Sequence, residues 1–160
     1  MRNTELLEFC AYLENTSLGL AVQDNFWVVP AMQTVHILAI SALLLAMLMI
    51  DLRVLGIHGK SDSISVVISR YINLIWFALP ILLISGSILI VGEPARSLAN
   101  SSFQLKMILL LIAIITTLQI QKIGLRDSPF QSNRTINLLA IFSLLLWFGI
   151  VASGRWIAYT

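Results

Sequence analysis

The chain has 160 residues, of which 58% are hydrophobic and 11% are charged. Soluble domains carry about 25% charged residues, so this composition excludes an ordinary soluble protein and predicts one integral membrane domain over residues 1–160. The net charge is +2, and the basic residues stand near the ends of apolar segments rather than in a run, which excludes nucleic acid as a partner. We expect the lipid bilayer to surround the chain.

The N-terminal segment predicts a short amphipathic helix over residues 3–14. Four apolar side chains recur there at helical spacing, with glutamates elsewhere around the turn: Leu6, Phe9, Cys10 and Leu13. The segment has no lysine to attract anionic lipids, so we expect it to cap the bundle rather than lie on the bilayer. Residues 15–26 are expected to form a loop before Trp27, an interfacial anchor.

Four apolar segments follow, each close to the roughly 20 residues that a membrane-spanning helix requires. They lie near residues 28–50, 71–92, 104–122 and 136–158. The polar connections between them are short and cover residues 51–70, 93–103 and 123–135. The sequence therefore predicts an all-α protein, an integral membrane four-helix bundle with a short N-terminal amphipathic helix.

The positions of lysine and arginine predict the orientation of the bundle. Six of the 10 basic residues stand on the side of the first and third connections, and four stand on the opposite side. The positive-inside rule assigns the richer side to the cytoplasm. We therefore expect a protein of the bacterial inner membrane with both termini on the periplasmic side.

Polar and small residues inside the spans predict a site in the outward-facing half. His36 lies in the first span, Lys106 near the start of the third and Arg155 near the end of the fourth, while Gly86 lies at a similar depth in the second. Ionisable groups within membrane spans usually face the bundle interior or a wet cavity. All four helices are therefore expected to contribute to one site.

Three interpretations of His36 remain open. It could be a structural imidazole, hydrogen-bonded to a carbonyl or to Ser85, with no ligand. It could be an axial ligand to the iron of a b-type haem, with Lys106 and Arg155 pairing with the propionates and Gly86 leaving room for the macrocycle. It could also belong to a site for a quinone or a metal ion, although a metal normally collects several ligands.

On a helical wheel His36 shares its face with Met32 and Gln33, so these two are also candidate cofactor-binding residues. The only other histidine, His58, follows His36 by 22 residues, which corresponds to roughly 33 Å along a continuous helix. The two histidines therefore cannot hold one haem within a single chain. A second axial ligand would come from Met32, from another side chain or from a second protomer, so a homo-oligomer or a larger membrane complex is a candidate assembly.

The remaining motifs favour no catalytic chemistry. Asp51 and Arg53 end the first span, where an interfacial ion pair with backbone capping is expected. The sequence contains no nucleophile with a paired base, no phosphate-binding loop and no pair of intramembrane carboxylates. We therefore expect no catalytic activity of the protein's own.

Several spaced strings together resemble a known family. They are WVVPAMQTVHILAISALLLAMLMIDLRVLG, LISGSILIVGEP, NSSFQLKM and SLLLWFGIVASGRWIAY. From about residue 9 to the C-terminus they are similar to an uncharacterised family of small bacterial four-helix membrane proteins, a domain of unknown function. The first span is more distantly similar to the His-bearing helices of the copper resistance D type of membrane protein. The resemblance implies fold and location but no activity.

The preferred hypothesis is a small inner-membrane subunit that binds b-type haem at an outward-facing intramembrane site, for electron transfer. One alternative is a component for transport or scaffolding of a metal ion or small solute. Another is a structural subunit without a ligand.

Overall fold

The computed structural model describes residues 2–59, 61–125 and 134–156, without the side chains of residues 2, 3 and 156. Throughout these ranges the regular structure is helical, with no strand. Seven helices are described: α1 Arg2–Glu14, α2 Ser17–Asp24, α3 Val28–Val54, α4 Ile64–Gly92, α5 Pro94–Leu98, α6 Ser101–Gly124 and α7 Arg134–Trp156. Four of them, α3, α4, α6 and α7, are long and apolar enough to cross a membrane. The predicted all-α membrane fold is therefore confirmed.

The long helices form two pairs. α3 packs along α4, and α6 packs along α7, in the most extensive contacts of the fold. Contacts between α3 and α7 join the two pairs, whereas α4 and α6 touch only slightly. The core follows the facing stripes of these helices and includes fully buried side chains from each of them: Leu43, Met47, Ile68, Ile120 and Ile136.

The bundle has two distinct ends. At the cap end, where α3 begins at Val28 and α4 ends at Gly92, the short helices α1, α2 and α5 pack on one another and on the long helices. At the turn end, α3 connects to α4 through a tight turn in which Gly56 and Gly59 have positive φ angles of 69° and 66°. Glycine adopts this region without steric cost, which lets the chain reverse within a few residues. His58 is exposed in this turn.

The prediction of a loop over residues 15–26 was wrong, because most of this segment forms α2. Thr16 caps this helix, and its Oγ1 accepts a hydrogen bond from the backbone N–H of Gly19 at 3.1 Å. α2 then folds back closely on α1, so that a Cβ on Gly19 would lie 2.5 Å from the carbonyl oxygen of Leu13. The buried side of α1 includes Cys10, whereas Phe9, expected on the same face, is exposed.

The two helices beside the first connection are longer than expected. α3 continues to Val54, and α4 begins at Ile64, where the Ser63 side chain accepts a hydrogen bond from the N–H of Val66. The chain continues as a helix through Pro80 in the middle of α4. Most of the third predicted connection and residues 157–158 of the fourth predicted span lie outside the described residues.

The interfacial ion pair expected between Asp51 and Arg53 is not found among the ion pairs of the described residues. Arg53 Nε instead donates a hydrogen bond to the carbonyl oxygen of Asp62 at 2.6 Å. The Asp62 carboxylate pairs with Arg70 at 3.1 Å. Residues two apart on a helix point to different faces, which explains why Asp51 and Arg53 do not pair although both are buried, at 0% and 7% exposure.

We expect Gly19→Ala to weaken the docking of α1 and α2 on the bundle. The added Cβ would meet backbone atoms of Leu13 and Glu14, and overpacking of this kind costs roughly 1–3 kcal/mol. Cys10, the one cysteine of the chain, is buried beneath this cap. Its reaction with a maleimide, followed by mass spectrometry in detergent, should accelerate about tenfold if docking weakens by ~1.4 kcal/mol.

Leu18→Ala provides the control for this experiment, since Leu18 is exposed on the same helix. Its labelling rate should equal that of the wild type. Equal rates in the wild type and in Gly19→Ala would contradict the close packing of α2 on α1.

Candidate functional site

A hydrogen bond between His36 and Ser85 joins α3 to α4 near the cap end. His36 Nδ1 and Ser85 Oγ are 2.8 Å apart. Ser85 Oγ also lies 2.6 Å from the carbonyl oxygen of Ile81, to which it donates its single proton. Because a carbonyl oxygen only accepts, the Ser85 oxygen has to accept from His36, and Nδ1 carries the proton. The contact with Ser85 anticipated in the structural interpretation of His36 is therefore present.

The Ser85 contact defines the tautomer of the His36 ring. In a neutral imidazole with the proton on Nδ1, Nε2 has a free lone pair that accepts a hydrogen bond or coordinates a metal. Histidines that bind metals usually donate their second N–H to an oxygen in this way, which fixes the ring. Within the described part of the chain, His36 Nε2 has no hydrogen-bond partner.

Gly86 lies directly against the His36 ring. A Cβ at this position would be 3.3 Å from Cε1 and 3.9 Å from Nδ1 of His36. The space that was expected to admit a macrocycle at Gly86 is thus filled by the imidazole itself. A ligand of His36 has to approach from the side of Nε2.

Lys106 brings a positive charge into the same layer. It begins the inward stripe of α6, which continues at spacings of three and four residues through the buried side chains of Ala113, Thr116 and Ile120. Its side chain is half-buried, and its charge acts electrostatically on the His36 imidazole. The ammonium also lies beside α7, where a Cβ on Gly154 would be 3.9 Å from Nζ. All four long helices therefore meet in this layer, as the sequence predicts.

The other candidate residues lie at the edge of the layer. Met32 is half-buried, whereas the side chains of Gln33 and Arg155 are exposed. Arg155 follows Gly154 directly, so its backbone adjoins the layer, and its side chain is exposed. The structure thus brings His36, Gly86 and Lys106 together and leaves Gln33 at the surface.

The layer lacks the ligands of a simple metal site. Among the described residues, no group of three or more His, Cys, Asp or Glu could hold a metal ion. Zinc sites use about three or four protein ligands, and here one imidazole stands beside a positively charged lysine. The arrangement suits a ligand that accepts an electron pair from His36 Nε2 and carries acidic groups able to pair with Lys106.

Ser85 was not among the predicted site residues, although its position carried a signal. It continues the buried stripe of α4 formed by Ile68, Ile75 and Ala78. A polar side chain on such a stripe must be paired inside the bundle. Ser143 and Trp147 carried the same signal and were also missed. They lie on the buried stripe of α7 with Ala140 and Ile150.

Comparison with known proteins identifies the family. Searches of curated proteins and of solved structures each found no match, so the distant likeness to copper resistance D proteins gains no support. A family model described as a family of unknown function, DUF6644, matches residues 9–160, which is nearly the whole chain. This agrees with the resemblance found in the sequence. The protein is therefore a member of the DUF6644 family.

Proposed function

We propose that this protein is a small membrane subunit that binds a b-type haem through His36 and takes part in electron transfer. The observation that carries the proposal is the hydrogen bond from His36 to Ser85. It fixes the ring through Nδ1 and leaves Nε2 free for a ligand. The lone pair of this nitrogen lies within a membrane span, where ionisable side chains usually face the bundle interior or a wet cavity.

The ligand set favours haem over a bare metal ion. Haem supplies four nitrogens of its own, so the protein has to add only one or two axial ligands. A zinc or copper site would need more protein donors than the described residues bring together. A single anchored imidazole is sufficient for haem.

The positive charges match the acidic groups of haem. Lys106 is half-buried and close enough to His36 to interact with it electrostatically, and Arg155 stands at the edge of the same layer. Both side chains could pair with the two propionates. When bound, haem supplies a one-electron redox couple. His36 would hold the iron, Ser85 would fix the ring, and the two cations would orient the acidic edge.

The second axial position supports an assembly of more than one chain. His36 would supply one protein ligand to the haem. Met32 lies one turn before His36 on the same helix, so both side chains leave α3 on the same side, and Met32 is a poor candidate for a second ligand. We infer that the sixth position is open or is filled by a second protomer or by a partner within a larger membrane complex.

The basic residues support an orientation in the bacterial inner membrane with the cap end outward. Arg53, Arg70, Lys122 and Arg134 all lie in helices at or near the turn end. The positive-inside rule assigns that end to the cytoplasm and both termini to the periplasm. The proposed haem site would then lie in the periplasmic half of the membrane.

We expect the protein, purified in detergent after expression with haem supplied, to show a Soret band. His36→Ala should abolish the band because it removes the axial nitrogen. His58→Ala is the matched control, since it removes the other histidine from an exposed turn at the opposite end, and it should retain the band.

A folded, colourless wild type would sink the haem proposal, as would a His36→Ala variant with an unchanged spectrum. A colourless preparation that releases a quinone on solvent extraction, but does so less after His36→Ala, would replace haem by the quinone alternative.

We expect Ser85→Ala to weaken haem binding about 10- to 100-fold, as is typical when the partner of a metal-bound histidine is removed. Haem titration of the apoprotein measures the change. Ser87→Ala is the control, because Ser87 is exposed on the same helix and donates to the carbonyl oxygen of Leu83 in the same way as Ser85 donates to Ile81. Equal affinities in the two variants would contradict the role of Ser85.

We expect a C-terminal fusion to alkaline phosphatase to be active, because the enzyme folds only in the periplasm. The same enzyme fused after Gly59, in the turn between α3 and α4, should be inactive. Measuring both activities in intact cells tests the orientation, and the reverse pattern would refute it.

A further inference from the structure

A second polar cluster lies in the half of the bundle that the haem proposal does not use. It consists of Asp51 on α3 and of Ser143 and Trp147 on α7, and we call it the Asp51 cluster. Asp51 and Ser143 are 0% exposed, and Trp147 is 6% exposed. Neither carboxylate oxygen of Asp51, nor Ser143 Oγ, nor Trp147 Nε1 has a hydrogen-bond partner among the described residues. These are the four buried side-chain atoms there that lack one.

The cluster lies where α3 and α7 pack against each other. The Ser143 hydroxyl is close enough to the Asp51 carboxyl group to interact with it, although not at the geometry of an ordinary hydrogen bond. Trp147 follows Ser143 by one turn on the same stripe of α7. On α3, Met47 precedes Asp51 by one turn, and its sulfur accepts a contact of 3.7 Å from Thr117. Ile50 and Val54, which flank Asp51 on α3, belong to the apolar core.

Among the described residues, no basic side chain pairs with the Asp51 carboxylate. Arg53 donates its Nε to the Asp62 carbonyl oxygen, and Arg70 pairs with the Asp62 carboxylate. The other titratable residues on α2, α4, α6 and α7 are Asp24 and Lys106 toward the cap end, Tyr71 beside the core, the exposed Lys122, and Arg134 and Arg155 near the two ends of α7. None of them forms an ion pair with Asp51 in the described part of the structure.

A buried charge without compensation is too costly to persist. Moving an isolated carboxylate into an apolar interior costs many kcal/mol, so buried carboxylates are neutralised by a partner, a metal ion or a proton. A calcium ion would need about six to eight oxygen ligands. The cluster offers three side-chain oxygens, and the fourth polar group, Trp147 Nε1–H, is a donor that suits an acceptor rather than a cation.

We propose that Asp51 and Ser143 form a proton-binding site inside the membrane, in which the Asp51 carboxylate takes up one proton and becomes a neutral carboxylic acid. A carboxylic acid has one donor and further acceptor capacity, which matches the hydroxyl of Ser143, a group that both donates and accepts. Asp51 lies three residues before the end of α3 at Val54, so the proton has a short path to water at the turn end. Carboxyl groups inside membrane spans form proton relays in pumps and transporters.

The site is independent of the proposed haem. Asp51 follows His36 by 15 residues on the same helix, which corresponds to about 22 Å. Ser143 and Trp147 take no part in the layer around His36. A failure of haem binding would therefore leave the proton site standing, and the reverse also holds.

Infrared spectroscopy of the full-length protein in lipid vesicles tests the proposal. At neutral pH we expect a C=O stretching band of a protonated carboxyl group, and Asp51→Asn should remove it. Ser143→Ala should shift the band, because it removes the hydroxyl beside the carboxyl group. Asp62→Asn is the control, since Asp62 is ion-paired near the surface, and it should leave the band unchanged. A shift of the band in D2O would show that the proton exchanges with water.

Three results would overturn the proposal. The first is the absence of the band from the wild type, or its survival in Asp51→Asn. The second is a band that does not shift in D2O, because the proton would then be trapped. The third is a band whose intensity depends on sodium at constant pH, because the ligand would then be a cation. If Asp51→Asn does not fold, two measurements still test the site: the band of Ser143→Ala and the band of the wild type in D2O. A band that is unchanged in both would refute the proposed site.

Discussion

Hydrocarbon offers no hydrogen-bond partners, so each polar group between the four long helices has to be paired within the bundle. Most of them meet this constraint locally: the hydroxyls of Thr116 and Thr117 donate to carbonyl oxygens one turn earlier on α6. Ser85 does the same and in addition accepts from His36. The Asp51 cluster does not meet it with any described residue. The two candidate sites are therefore the places where a buried polar side chain is not paired solely with a carbonyl oxygen of its own helix.

α3 links these two sites. Its cap-end half carries His36 against α4, and its turn-end half carries Asp51 against α7. It is also the helix that joins the two helix pairs, because it packs on both α4 and α7. If both proposals hold, one central helix carries an electron-transfer site near one membrane surface and a proton-binding site near the other.

The sequence predicts the fold and the family well because both depend on features that extend along the chain. Long apolar segments can satisfy their backbone in a membrane only as helices, so their number follows from hydropathy alone. The prediction of a loop over residues 15–26 failed because one cap at Thr16 and one close contact at Gly19 determine the helix that forms there. The depth of His36 followed from counting residues, but its partner atom and the filling of the space at Gly86 required the rotation of α4. Asp51 was assigned to an interface because α3 was predicted to end too early and α4 to begin too late, and the encounter of Asp51 with Ser143 depends on how α7 packs.

The central claim is that Ser85 holds His36 as the tautomer with a free Nε2. Nitrogen-15 NMR of histidine-labelled protein in lipid, without added haem, reads this directly, and His58→Ala leaves His36 as the one histidine signal. We expect a protonated Nδ1 and an unprotonated Nε2. A protonated Nε2, either as the opposite tautomer or as the imidazolium, would contradict it, because His36 would then have no lone pair to offer a ligand.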